Sequence, residues 1–308
     1  MDGREVRAQP GHEVVNPVRP VPSITSGIER SRRNLAPRRG DLGRRAATTA
    51  AALAAAAVVL FLLVPLGALL ARAVGDRGAF TPETAATLRR ALTLTLGTSA
   101  VALGAVLAFG TPLAYLLARR RFPGAGLVDA LIDVPMVLPP AVAGLALLMA
   151  FGRRGVVGEP LAAVGITVGF TTAAVVLAQV FVAVPFYVRA ARAGFARVDR
   201  VLEEAAADLG ASPSRVFRTV TVPLARPSLV AGAVLAWARA VGEFGATILF
   251  AGNYPGRTQT MPLAVYGRFE AGDLPSALLL AAVLLGASLL VLLGVRLVGE
   301  RGQEGIWR

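Results

Sequence analysis

The amino-acid sequence predicts an all-α, polytopic membrane protein with about six transmembrane helices. Its 308 residues are 55% hydrophobic with a mean hydropathy of +0.62, which is more apolar than soluble domains usually are. Apolar runs recur, each exceeding the ~20 residues that cross a ~30 Å hydrocarbon core. Of the 32 basic residues, 23 lie in residues 1–45, 119–121, 189–226 and 296–308. Basic residues concentrate in cytoplasmic loops, so both termini and the 189–226 segment are predicted to be cytoplasmic.

Three residue counts limit the chemistry that the chain can carry. There is no Cys and no Lys, and the one His is His12 in the N-terminal segment. Disulfides and thiolate metal sites are thereby excluded, and so is a Walker A loop, which needs Gly-Lys-Ser/Thr to bind ATP. We therefore expect no metal site, no cofactor and no catalytic residue in this chain. The arginines that give the net charge of +13 are concentrated in the segments predicted to be cytoplasmic. Membrane topology accounts for this distribution, so no nucleic-acid partner is predicted.

The N-terminal segment, residues 1–45, is rich in Arg, Pro, Gly and Ser and has no apolar periodicity. This composition predicts a disordered cytoplasmic tail. It is too long before the first apolar run for a signal peptide. A solvated tail that helps to set topology is favoured, with binding of its Arg clusters to anionic lipids as the alternative.

The transmembrane domain is predicted over residues 46–298, followed by a cytoplasmic C-terminal tail, 299–308. Its six apolar runs cover residues 46–71, 91–118, 127–150, 168–188, 228–251 and 275–298. The Arg119-Arg120-Arg121 triplet closes the second run and is interpreted as a topology anchor. The third run contains Pro135, Pro139 and Pro140. Two interpretations of these prolines stay open, a kinked packing helix or a broken helix beside a polar pathway.

The segment 199–223 lies between the fourth and fifth runs and predicts a helix, a sharp turn and a second helix. The first helix should cover Asp199 to Leu209, and Gly210 is the residue type expected after its C-terminus, where the backbone turns left-handed. Ser212 and Pro213 are typical of the first positions of a new helix. We expect Pro223 to stop this second helix.

The same segment carries a spaced motif. Its residues, all in register, are Glu204, Ala205, Ala206, Gly210, Val220, Val222 and Pro223. The motif resembles the EAA loop of the membrane subunits of bacterial ABC importers. The resemblance implies a type I ABC importer permease fold and a loop that docks into a cleft on an ATPase subunit. The alternative is an amphipathic surface loop in an Ala-rich chain.

The fifth run contains two ionisable residues, Arg239 and Glu243, four positions apart and therefore on one helix face. Ionisable residues within a span are costly and by default indicate function. One interpretation is a salt pair that orders the helix bundle. The other is a face that lines a translocation path, where Arg239 attracts an oxyanion and Glu243 holds Arg239 or acts in an outer gate. Phe244 is assigned to the same path.

A polar loop follows the fifth run, with hydrogen-bonding side chains at Asn253, Arg257, Thr258 and Gln259. The surrounding residues, 242–247 and 251–260, are similar to those of the molybdate ABC importer permeases, and the similarity extends over about residues 81–297. Sulfate and thiosulfate permeases are close relatives of that family. The loop is therefore expected to face a binding protein.

This narrower resemblance implies the partners. They are a second copy of the chain, a pair of cytoplasmic ABC ATPase subunits that bind Mg-ATP, and a periplasmic or lipid-anchored oxyanion-binding protein. The substrate implied is molybdate or tungstate, with sulfate or thiosulfate as the alternative, and the location is the bacterial plasma membrane. Two other classes are weighed against a permease: an intramembrane acid-dependent enzyme that uses Asp129 and Asp133, and a structural membrane protein.

Overall fold

The structure, a computed structural model, describes the backbone of residues 39–304 and the side chains of residues 47–76 and 78–293. The chain divides into two compact units, Met1–Val64 and Pro65–Arg308. Throughout the described backbone the regular elements are helical, which confirms the all-α prediction.

The helices follow one another with short connections. In chain order they are α1 Arg39–Gly75, α2 Pro82–Arg119, α3 Ala125–Val137, α4 Pro140–Phe151, α5 Gly158–Ala163, α6 Thr172–Arg197, α7 Arg200–Asp208, α8 Pro213–Val216, α9 Val222–Val241, α10 Gly245–Phe250, α11 Met261–Glu270 and α12 Leu274–Glu304. A 3₁₀ turn, Arg77–Ala79, lies between α1 and α2, and a π-helical turn, Phe217–Thr221, joins α8 to α9.

The spans agree in number with the prediction. Within residues 39–304, five continuous helical segments are long and apolar enough to cross a membrane: Ala47–Gly75, Pro82–Arg119, Thr172–Arg197, Pro213–Val241 and Leu274–Leu293. The pair α3 and α4 makes a sixth when it is counted as one span, bent by 119° at its break. The chain is therefore a multi-pass membrane protein.

Several helices extend beyond the apolar runs. Helix α1 begins at Arg39, so residues 39–45 of the predicted tail are helical, while residues 1–38 lie outside the described chain. Helix α2 begins at Pro82 and not at residue 91, because the Thr81 side chain accepts the Thr84 N–H at 3.1 Å and caps the first turn. Helix α12 continues to Glu304, into the predicted C-terminal tail. Apolar runs mark contact with lipid, and helices continue past that boundary.

The third span is broken at its prolines, which excludes a single kinked helix, and a polar pathway beside the break stays a prediction. Helix α3 ends at Val137, and Leu138 takes the extended backbone that a residue before proline prefers. Helix α4 then begins at Pro140, at the first helical position, where the missing N–H is not needed. Pro135 lies inside α3 without ending it.

The core of the second unit, Pro65–Arg308, is built around α6, which packs against α2 and α9. Its buried members are Val106, Ala114, Ala183, Tyr187, Val188, Ala191, Phe195, Ala225, Ala236 and Ala240. Small residues permit this close packing: a Cβ on Gly110 would lie 2.9 Å from the ring of Tyr187, and one on Gly232 would lie 2.8 Å from Ala190. Helices that pack through glycine in this way are common in membranes.

Candidate functional site

The segment between α6 and α9 is the one that the sequence motif singled out. Its first helix, α7, has Asp199 as N-cap, whose carboxylate accepts the Val201 N–H at 3.0 Å. At the other end Gly210 has a φ of +83°. Its N–H bonds Ala207 O at 2.8 Å, and the Ala211 N–H bonds Ala206 O at 3.1 Å. This pair of bonds is a Schellman motif, which confirms the predicted helix and its glycine turn.

Helix α7 presents its side chains outwards. None of its residues is buried within the part of the chain that the structure describes. Leu202 is 50% exposed, and Leu209 at the C-cap is 90% exposed. Glu204 and Ala205 are exposed and Ala206 is half-buried. An apolar surface that one chain leaves uncovered is typical of a docking site for another protein.

One side chain of α7 turns inwards, and sequence reasoning missed it. Glu203 accepts a hydrogen bond at 2.9 Å from Arg119 at the end of α2, and another at 2.5 Å from the hydroxyl of Thr221. Nothing in the spacing distinguished Glu203 from Glu204, because both stand at polar positions of the helix. The Arg119 side chain is 9% exposed, so its guanidinium is held inside the protein by this ion pair.

The prediction that Pro223 ends the second helix is wrong. The helical segment runs without interruption from Pro213 to Val241. In the π-helical turn before the proline, the Val222 N–H bonds Phe217 O, five residues back. This wider turn accommodates a residue that lacks an N–H, so Pro223 takes an early position of α9. Pro223 is exposed.

The predicted fifth run, 228–251, is interrupted, because the continuous span Pro213–Val241 ends inside it. Helix α9 ends at Val241 and α10 begins at Gly245. Glu243 lies in the break and is 1% exposed. Its Oε1 accepts the Ala246 N–H at 2.7 Å, and its Oε2 lies 2.6 Å from a guanidinium nitrogen of Arg239, whose side chain is 29% exposed. The expected ion pair is present, but Glu243 stands past the end of the helix that carries Arg239.

Phe244 lies in the same break and is half-buried. Its ring packs on the ring of Tyr266 from α11, with 4.9 Å between the centroids. The three residues assigned to the translocation path, Arg239, Glu243 and Phe244, are therefore brought together at one interruption of the span.

The break in the third span meets the break between α9 and α10. Helices α4 and α10 pack so closely that a Cβ on Gly144 would lie 2.6 Å from Ala246 O, and a Cβ on Gly245 would lie 2.5 Å from Pro140. Backbone at such an interruption must be satisfied by protein or by water and not by lipid. The two breaks thus form one shared irregular region.

The loop from 251 to 260 is held by its own polar side chains. Thr258 is buried, donates to Gly252 O at 3.1 Å and accepts the Tyr254 N–H at 3.0 Å. Asn253 donates to Leu263 O at 3.1 Å. Of the residues predicted to face a binding protein, these two therefore shape the loop from inside. Arg257 is exposed and Gln259 is half-buried.

The two aspartates considered for an enzyme are engaged by arginines. Asp133 on α3 pairs with Arg189 on α6, with 2.6 Å between its Oδ1 and the guanidinium Nε. One turn earlier, Asp129 pairs with Arg192. The carboxylates therefore form a ladder of ion pairs between two helices and not an acid dyad that faces a substrate.

Fold and site together define a class. A broken span and an ionisable residue within a span are typical of membrane transport proteins, and here an exposed short helix, α7, also lies between two of the spans. The sequence profile described as "Binding-protein-dependent transport system inner membrane component" matches residues 110–301. The chain belongs to this family, whose members are transport subunits and not enzymes.

Three relatives are informative. The molybdenum transport system permease protein ModB of Mycobacterium tuberculosis is 42% identical over 236 residues, which are 77% of this chain and 89% of that protein. ModB of Escherichia coli strain K12 is 47% identical over 178 residues, 58% of this chain and 78% of that protein. The sulfate transport system permease protein CysT of Salmonella typhimurium is 40% identical over 193 residues, 63% of this chain and 70% of that protein.

Two solved structures share the fold. A bacterial ABC transporter involved in the import of the acidic polysaccharide alginate matches with a TM-score of 0.61 at 18% identity, over 85% of this chain and 98% of that chain. The MetNI methionine ABC transporter, in inward facing conformations, matches with a TM-score of 0.55 at 20% identity, over 74% and 100%. The predicted type I ABC importer permease fold is therefore confirmed.

Proposed function

We propose that this chain is the permease subunit of an ATP-driven importer that carries molybdate or tungstate across the bacterial plasma membrane. The observation that carries this proposal is the identity of 42% and 47% to two ModB proteins. The sulfate alternative is supported by the 40% identity to CysT, over a smaller share of both chains than the first ModB match. Molybdate is therefore the first substrate to test.

Helix α7 and the turn at Gly210 form the surface that docks on the ATPase. Its apolar side chains, with Leu209 at 90% exposure, supply area to bury against a partner. Exposed Ala205 leaves room for close approach, and exposed Glu204 supplies an anionic contact for a basic residue of the ATPase. Pro223 takes an early position of α9, which leads away from this surface. Mg-ATP is bound by the ATPase, since this chain has no Lys for a Walker A loop.

The assembly that follows is a homodimer of this chain above a pair of ATPase subunits, with both termini and α7 in the cytoplasm. The loop with Asn253, Arg257, Thr258 and Gln259 then lies on the opposite face, where an oxyanion-binding protein docks. The distribution of arginines supports this orientation. ATP binding closes the ATPases, and α7 follows that movement into the spans.

The interrupted region of the third and fifth spans lies beside the path of the oxyanion. Arg239 is partly exposed there, so its guanidinium can meet an anion while Glu243 holds its position. The bidentate geometry of a guanidinium suits oxyanions. The buried Glu243 carboxylate repels a dianion and serves as the holder of Arg239, not as a ligand.

The docking role is tested at Gly210. Gly210→Val places a β-branched residue at a φ of +83°, a conformation that such residues avoid. The turn is displaced although no span is touched, so we expect an inserted permease that fails to retain the ATPase on co-purification. Gly210→Asn is the matched control, because Asn tolerates the left-handed backbone. Normal retention of the ATPase by the Val variant would contradict the docking role.

The substrate is tested by uptake. Vesicles that contain the permease, its ATPase and its binding protein should accumulate radiolabelled molybdate, and excess unlabelled tungstate should suppress that uptake. Excess sulfate should not. Suppression by sulfate at the same concentration as by tungstate would assign the chain to the sulfate permeases.

A further inference from the structure

The Glu203 carboxylate joins three elements through one oxygen atom. Its Oε1 accepts from Arg119 Nη2 of α2 at 2.9 Å and from the Thr221 hydroxyl of the π-helical turn at 2.5 Å. Glu203 itself belongs to α7. A single acceptor thus connects the exposed helix to the ends of two spans.

The connection to α2 is made more than once. A second bond from Arg119 Nη2 reaches Val198 O at 3.1 Å, just before α7. In return, Arg200 in the first turn of α7 donates to Arg119 O at 3.3 Å. Hydrogen bonds in both directions therefore connect the start of α7 to the end of α2.

The joint is shielded from water although α7 is exposed. The side chain of Arg119 is 9% exposed and that of Glu203 is 17% exposed, and Thr221 is fully buried. Charge-assisted hydrogen bonds in such surroundings are stronger than on an open surface. The contact is therefore held by strong hydrogen bonds, whereas most of the other residues of α7 are exposed.

An aromatic cluster fixes the elements on which the joint acts. Tyr115 lies one helical turn before Arg119, and its ring packs edge-on against Phe195 of α6 and Phe217 of the π-helical turn, with centroids 5.5 Å and 5.1 Å away. Edge-to-face packing of this kind stabilises a defined geometry. The ends of α2 and α6 and the turn before α9 are therefore packed together, and the hydrogen bonds of Glu203 connect α7 to them.

We propose that Glu203, held by Arg119 and Thr221, is the positioning residue that transmits movement of α7 into the spans α2 and α9. This inference rests on the proposed function, because it requires an ATPase that moves α7. Docking and transmission are then separate properties of one short helix. Glu204 faces the partner, and its neighbour Glu203 faces the spans.

The test removes one arm of the joint. Thr221→Val deletes the hydroxyl at nearly constant shape, and Thr221→Ser restores it. Thr219→Val is the matched control, since Thr219 lies in the same π-helical turn but is exposed and bonds Arg215 O. Glu203→Gln tests the carboxylate independently, should Thr221→Val fail to insert. Vesicles with ATPase and molybdate-loaded binding protein are assayed for ATPase retention, ATP hydrolysis and molybdate uptake.

We expect Thr221→Val and Glu203→Gln to retain the ATPase and to lower molybdate uptake per ATP hydrolysed by about tenfold, as the loss of a hydrogen bond to a charged group predicts. Thr221→Ser and Thr219→Val should match the native chain. If Thr221→Val and Glu203→Gln both take up as much molybdate per ATP hydrolysed as the native chain, this inference is overturned while the proposed function stands. Loss of ATPase retention in these two variants would also overturn it, by assigning Glu203 to docking. A native chain that retains no ATPase would remove the proposed function itself.

Discussion

Replacement of Glu243 tests whether the interrupted fifth span serves stability or transport. In Glu243→Ala the Arg239 guanidinium loses the partner that lies at 2.6 Å, and the Ala246 N–H loses its acceptor at 2.7 Å. Removing one member of a buried ion pair costs about 3–5 kcal/mol. Arg239 is 29% exposed and can recover some hydration, so we expect a loss at the lower end, about 3 kcal/mol.

Two companion variants separate the contributions. Glu243→Gln keeps an acceptor for the Ala246 N–H and should lose about 1–2 kcal/mol. The double variant Arg239→Leu with Glu243→Gln leaves no unpaired charge and should regain stability to within about 1 kcal/mol of the native chain, because well-packed apolar replacements of buried pairs are tolerated. Thermal unfolding in detergent ranks all three, and vesicle uptake of molybdate is measured on the same preparations.

Unfolding and uptake together distinguish a structural role of the pair from a role in transport. If the region lines the path, the double variant unfolds like the native chain but transports no molybdate. Native transport by the double variant would leave the pair a purely structural role. An unchanged unfolding temperature for Glu243→Ala would refute the argument from burial itself.

Three further predictions concern topology, packing and pH. In this Cys-free chain, a Cys at Ser214 should resist an impermeant thiol reagent added outside and a Cys at Arg257 should react, and the reverse pattern would invert the topology. Gly245→Ala places a Cβ 2.5 Å from the Pro140 side chain and should lower the free energy of unfolding by about 1–3 kcal/mol. Gly104→Ala, whose Cβ meets nothing within 4 Å, should leave that free energy unchanged. A hydrogen bond from Ser276 lowers the pKa of Asp273 below its ordinary value. The stabilising contribution of this carboxylate is therefore present above its ordinary pKa and is lost as the pH falls through the lowered pKa. Asp273→Asn should therefore flatten the fall of the melting temperature on acidification, and an unchanged slope would contradict this.

Much of the fold could be predicted because the bilayer imposes long apolar runs. The spans, the helix before Gly210 and the pairing of Arg239 with Glu243 all follow from length, turn chemistry and the cost of unpaired charge. The breaks could not be predicted with the same ease. The run 228–251 stays apolar on both sides of its interruption, and Gly242 and Glu243 within it do not by themselves distinguish a break from a continuous helix that carries a buried carboxylate.

The polar contacts were harder to predict than the spans. Glu203 and Glu204 are identical in type and adjacent, and Glu203 is half-buried while Glu204 is exposed because of where Arg119 and Thr221 lie in space. Likewise Thr258 has the sequence context of a surface donor in a polar loop, yet it is buried. Contacts between distant segments decide these cases, and no local spacing encodes them.

The π-helical turn has a consequence for scanning mutagenesis. It bonds Val222 to Phe217 across one residue more than an α-helix does, so it inserts a residue into an otherwise regular segment. Each residue of an α-helix advances by about 100° around the axis. A helical wheel drawn through Pro213–Val241 without allowing for this turn would misplace every residue after it by about 100° around the helix axis. Lipid-facing and core-facing positions would then be confused. The helical periodicity of substitution data should therefore be analysed separately for the residues before the turn and the residues after it.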